Sequence, residues 1–197
     1  MSYFEDIKNQ IYKFEHLGKE IATTGALLIG KAPHIAQFAW LHAIYVPLTM
    51  KEILELESEL NTEIPESYKY FLMNYSNGLS LFVAEFYLDG LRKKVGRSID
   101  SVRQPYSIIT TNIEERPSNA KENYFFIGGY KWDGSHIYID TKTNKVHFCD
   151  PWDATSLFEW NSFEEMIVSE VKRFSTLFNS DGIILDDDLY TTPIEIE

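Results

Sequence analysis

The chain has 197 residues, 44% of them hydrophobic and 15% aromatic, enough to bury a core without staples and too much for a disordered chain. Its 18 Lys and Arg against 30 Asp and Glu leave a formal charge of −12, which argues against general nucleic-acid binding and against attraction to anionic lipid. Cys149 is the only cysteine, so no intramolecular disulfide can form and a reducing compartment is expected. The start MSYFEDIKNQ lacks the basic residues and apolar run of a signal peptide. The longest apolar stretch, Ile35 to Leu48, is too short for a membrane span and holds His42 and Pro47. A cytoplasmic protein without membrane contact is the expectation.

The first 45 residues predict helix. Ile7, Ile11, Phe14 and Leu17 recur at spacings of four and three, one apolar stripe. A second helix is expected from about Pro33 to before Pro47, apolar on more than one side and therefore packed between other elements. Thr49 and Glu52 form a capping box ahead of a helix whose apolar positions include Met50, Ile53, Leu56 and Leu60. Pro65 opens the next helix, on which Tyr68, Phe71, Leu72 and Tyr75 share a face, and Gly78 suits a left-handed stop.

From Leu79 the character changes. LSLFVAEFYLDG predicts strand, closed by a hairpin-type turn at Asp89–Gly90. A basic loop or short helix follows, then a candidate strand over Pro105–Thr110 and a polar connection with one helical turn. Strands are expected at Tyr124–Ile127, His136–Asp140 and Lys145–Cys149, with turns at Asp133–Gly134 and Lys142–Asn144. In the middle strand Ile137 and Ile139 alternate with His136, Tyr138 and Asp140, giving one apolar and one mixed face. Ser162 and Glu165 open a last helix bearing Phe163, Met166, Ile167, Val171, Phe174 and Phe178, and Ile183–Leu185 predicts a short strand. The expectation is a single α+β domain over 1–197, with helices on one face of an antiparallel sheet and an N-terminal helical extension over 1–48.

The local sequences resemble the SUKH superfamily, the group named for fungal cell-wall synthesis regulators and found widely as bacterial immunity proteins. The resemblance rests on Leu56, Glu57 and Leu60; on Ile64, Pro65, Tyr68, Phe71 and Leu72; on Asn77 and Gly78; and on Gly128, Gly129 and Asp140. A late SFEEMI helix completes the order, and coverage runs from about 49 to 178. LSLFVAEFY departs from the Gly-rich stretch usual after the second helix, and the segment before residue 46 maps onto no part of the family. The resemblance implies non-catalytic protein binding: an antidote to a cognate toxin domain, frequently a nuclease, or a regulatory scaffold module.

Charge is unevenly placed. Residues 49–66 hold six acids and Lys51, and residues 150–197 hold twelve acids against Lys172 and Arg173. Such clusters suit a basic protein partner. Residues 91–103 hold Arg92, Lys93, Lys94, Arg97 and Arg103 with only Asp100; this run could touch a phosphate, and neutralisation by the chain's own acidic helix at Lys51–Leu60 is the simpler expectation. Tyr130, Trp132, Asp133, Trp152 and Asp153 fall in predicted turns, where rigid rings flanked by acids form either a contact surface for a protein partner or a cover folded over the sheet.

No catalytic residue, cofactor or metal is expected. His136, His147 and Cys149 match no zinc spacing. Asp186, Asp187 and Asp188 lack the alternation of a calcium loop. Gly128–Gly129 is a bulge or strand edge rather than a phosphate loop, and the consecutive pairs Glu114/Glu115 and Glu164/Glu165 diverge. An enzyme with a dispersed active site and a homodimer through strand edges remain open alternatives.

Overall fold

Among the described residues, a meander of nine short strands forms one antiparallel sheet in strict chain order. The structure, a computed structural model, describes residues 3–93, 96, 98–186 and 188–195. Helix α1 (Tyr3–Ile11) continues as a tighter turn over Tyr12–Leu17 and leads into β1 (Lys19–Ile21), β2 (Leu27–Lys31) and β3 (Trp40–Ile44). Helices α2 (Met50–Leu60) and α3 (Glu66–Asn74) precede β4 (Leu79–Leu81) and β5 (Phe86–Leu88). A short helix α4 (Ile99–Val102) and a wide helical turn over Thr110–Glu114 lie before β6 (Tyr124–Tyr130), β7 (His136–Asp140), β8 (Val146–Cys149) and β9 (Phe158–Trp160), and α5 (Phe163–Leu177) follows. Among the described residues no helix is long and apolar enough to cross a membrane.

Local chemistry sets the helix ends. Thr49 Oγ1 accepts from the Glu52 amide at 3.3 Å while a Glu52 carboxylate oxygen accepts from the Thr49 amide at 2.8 Å, satisfying two otherwise orphaned donors at the start of α2. Ser162 caps α5 through the Glu165 amide at 3.1 Å, but Glu165 turns back to the Asn161 amide instead of completing the box. The Glu57 carboxylate ties α2 to α3, accepting from the Ile64 amide and from Lys69, each at 2.9 Å.

The main core lies between the helices and one sheet face. Ile53, Leu56, Tyr68, Phe71, Phe163, Ile167 and Phe174 meet Leu81, Phe86, Ile127, Ile137, Ile139 and Phe148 there. As the alternation predicts, Tyr138 of β7 sits on the other face, with Phe126, Cys149 and Ala154. The register slips between Phe126 and Gly128, so the paired glycines do mark a bulge. Proximity explains the glycine there: a Cβ on Gly128 would meet the Tyr87 carbonyl oxygen at 2.1 Å.

Several elements differ from the sequence-based expectation. The N-terminal helix is present, but no helix follows Pro33; residues 19–44 supply three strands. A run apolar on two sides fits a strand buried on both faces as well as a buried helix, and pairing with β4 selects the strand. The hairpin turn lies at Phe82–Glu85, while Asp89 is buried beside the sheet. Phe82, Val83 and Ala84 all have positive φ (49°, 59° and 66°), a conformation that costs about 1–2 kcal/mol per non-glycine residue. Phe82 offsets it by stacking on Phe178 at 4.0 Å and meeting Phe14 and Phe174. Pro105–Thr110 forms one bridge, Ser107 to Gly90, and Ile183–Leu185 one bridge, Ile184 to Phe178. Met50 is exposed, and β9 was not anticipated.

Candidate functional site

Two loops meet at one end of the sheet. Because His136 opens β7 opposite Cys149, which closes β8, the turns at 131–134 and 150–155 are neighbours. A Cβ on Gly134 would sit 3.7 Å from Pro151. Trp132 is 49% exposed and Trp152 81%, an unusual state for the side chain with most to gain from burial. The adjacent acids brace their own loops. Asp133 accepts from the Ser135 amide at 2.9 Å and its hydroxyl at 2.5 Å. The Thr155 hydroxyl, the Thr155 amide at 2.7 Å and Asn119 at 2.6 Å all donate to Asp153, which holds its carboxyl below the usual range.

Tyr130 does not join them. It ends β6 fully buried and donates its hydroxyl to Glu170 at 2.7 Å, so its expected place in a partner-facing turn is corrected. The bulge is the reason: the extra residue inverts side-chain phase after Phe126 and turns Tyr130 into the main core.

A second feature was not found from sequence. The sheet face opposite the helices is open at β3 and β4, where a groove of about 470 Å³ runs over Trp40, Ala43, Tyr45 and Ser80. Val83 and Ala84 of the strained turn line it too, as do Ile99, Val102 and Tyr106. Arg92 and Arg103 also line it. Arg92 donates to the Pro105 and Ser101 carbonyls at 2.9 and 2.6 Å, and Arg103 to the Phe38 carbonyl at 2.9 Å. The basic run was visible in the sequence; the strand that supplies the groove floor was not. The groove's strained end leads to the aromatic loops, since Lys131 donates its amide to Glu85 at 3.1 Å and pairs with its carboxylate.

The expected internal neutralisation occurs at Lys93, which pairs with Glu52 and, with the Thr49 amide, draws that carboxyl down to about 2. Lys94, Arg97 and Asp187 lie outside the described residues. Burial pushes the Cys149 thiol up to about 12, so it offers no thiolate at neutral pH. His147 stacks on Tyr138 with centroids 5.0 Å apart and bonds Ser156 at 2.8 Å; desolvation lowers its pKa and that of His136. These are packed side chains. Among the described residues no group of three or more His, Cys, Asp or Glu could hold a metal ion.

Residues 47–169 match the model of the SMI1 / KNR4 family (SUKH-1). No curated protein matches the chain. The match begins just before α2 and ends within α5, so α1 and β1–β3 precede it.

Proposed function

The chain belongs to the SMI1 / KNR4 family (SUKH-1), and on that premise we propose that it is a cytoplasmic, non-catalytic immunity protein that binds and neutralises a cognate toxin domain. Family membership is consistent with toxin immunity or with regulation, and both work through protein contacts. The observation that carries the reading beyond membership is the exposed pair Trp132 and Trp152 on adjacent, braced loops. Large rigid rings held at low entropic cost are the residues that dominate interface energetics. Asp133, Asp150 and Asp153 beside them, in a chain of charge −12, favour a basic partner such as a nuclease domain. A regulatory scaffold module is the second reading, favoured by the same family description.

The test is neutralisation. Proteins retained by the tagged chain from its host lysate are identified, and the chain is titrated into the activity assay of any toxin domain among them. The immunity reading expects loss of toxin activity at one-to-one stoichiometry, and association rates that fall at least about tenfold as salt rises. Retention of a regulatory protein with no toxic activity would transfer the proposal to the scaffold reading. A retained toxin that stays fully active would overturn the antidote mechanism.

A further inference from the structure

We propose that the groove between the β3–β4 face and the α4 segment docks a partner polypeptide that inserts an apolar side chain flanked by carboxylates. This goes beyond the immunity reading, because it holds whichever protein the chain serves. Most of the lining is apolar or aromatic, Trp40, Ala43, Tyr45, Val83, Val102 and Tyr106 among it, with Ser80 and Gln104 as its uncharged polar members. A volume of about 470 Å³ lies within the range of sites that admit one or two large side chains. The rim is not closed, for Val102 is 70% exposed, Phe38 63%, and Ile99 more than half. Water bathes those side chains in the free protein, and a segment laid along the groove would remove it. An open trough of this kind suits a stretch of chain better than a small enclosed ligand, which a site normally buries by more than two thirds.

Charge chooses the occupant. The protein is strongly acidic, yet among the described residues two guanidiniums and no carboxylate line the groove. Lys31 approaches the Trp40 ring, 5.5 Å from its centroid, but is not part of the lining. Asp100, on α4 itself, accepts from the Thr23 hydroxyl and is not part of the lining. Each guanidinium spends part of its five-donor fork on backbone carbonyls, which fixes its plane and lowers the entropy lost on meeting a carboxylate. A lysine-rich segment would meet like charge there. The floor residues Trp40, Ala43 and Tyr45 precede the stretch matched by the family model, whereas Arg92 to Tyr106 fall inside it. The groove is thus assembled where the additional strands join the family region.

The test uses blocked pentapeptides with a central phenylalanine flanked by glutamates, or by lysines, and reads the indole N–H of Trp40 by NMR with that of Trp160 as the control. At millimolar probe, the glutamate peptide is expected to shift Trp40 and leave Trp160 in place, and the lysine peptide to shift neither. Val102→Asp and Arg103→Glu change exposed or half-buried positions and keep the fold, as thermal melting would verify. Each is expected to weaken the glutamate peptide at least about tenfold. Absence of any Trp40 shift, equal binding of both peptides, or binding that survives both variants would overturn the proposal. No toxin is present in this experiment, so its failure leaves the immunity reading untouched.

Discussion

Tyr130 and Glu170 meet inside the main core, where the tyrosine hydroxyl donates to the carboxylate at 2.7 Å and both residues are almost wholly shielded from water. Arg173, one turn further along α5, closes the arrangement with contacts to both carboxylate oxygens and a bond to the Thr191 carbonyl at 2.6 Å. A strand end, a helix and the C-terminal segment are therefore joined through one buried acid.

Removing either partner should have unequal consequences. Tyr130→Phe deletes one hydrogen bond while Arg173 still neutralises the acid, at an expected cost of about 1–2 kcal/mol. Glu170→Ala strands the hydroxyl and the guanidinium together and is expected to cost about 3 kcal/mol or more. Equilibrium urea unfolding measures both. Equal, sub-kcal effects would mean that the acid is solvated like an ordinary surface pair.

Asp89 carries a pH dependence of definite sign. Burial pushes its carboxyl up to about 8, against the Thr111 hydroxyl that favours the charged form. Unfolded, it ionises near the ordinary value of 3.8. Between these values the native state holds the extra proton, so stability falls as pH rises from about 4 to 8, by at most about 1.4 kcal/mol per unit. His42, fully buried and lowered to about 3 by desolvation, works the other way: the unfolded state binds the extra proton below about 6.5, so its contribution rises with pH up to that point. The window from 6.5 to 8 isolates Asp89. Chemical denaturation across it should show declining stability in the native sequence and a flatter profile in Asp89→Asn.

Trp132 and Trp152 should separate binding from folding. Trp152→Ala removes a ring that is mostly in solvent, so the melting temperature is expected to hold. Affinity for the partner retained by the native protein should drop at least about tenfold, the scale of an interface anchor. Trp132→Ala is expected to do the same more mildly. Unchanged affinity in both would place the partner surface elsewhere.

Gly128 is required by contact. Its Cβ would enter the Tyr87 backbone at 2.1 Å, and neither strand can yield without losing its ladder. Gly128→Ala is expected to cost about 2–3 kcal/mol, measured as a fall in the urea midpoint. Ala84→Gly should do the opposite. Relief of the left-handed strain, about 1–2 kcal/mol, outweighs the entropy of a glycine, about 0.5–1 kcal/mol.

Local signals carried α2, α3 and α5, because caps and a repeating apolar face are properties of neighbours in the chain. The alternation of Ile137 and Ile139 with His136 and Tyr138 likewise fixed which face of β7 joins the main core. It could not reveal β2 and β3, since an apolar run buried on both sides has no period to distinguish it from a packed helix, and the short exposed β1 carries no apolar pattern at all. It also placed Asp133 and Asp153 in turns, and there they brace the loops that present Trp132 and Trp152.

By itself the sequence determined an acidic α+β chain with three amphipathic helices, two of them capped by side chains, a three-stranded meander and a family resemblance centred on α2 and α3. Tertiary structure alone decided the rest. One extra residue in β6 inverted the phase of its strand and sent Tyr130 to Glu170. The stacking of Phe82 on Phe178 held three side-chain-bearing residues in a turn that local preference disfavours. The addition of β3 beside β4 turned a basic loop into the wall of a groove. Each of these depends on contacts between residues far apart in the chain, and the energy of such contacts is not written in any local window.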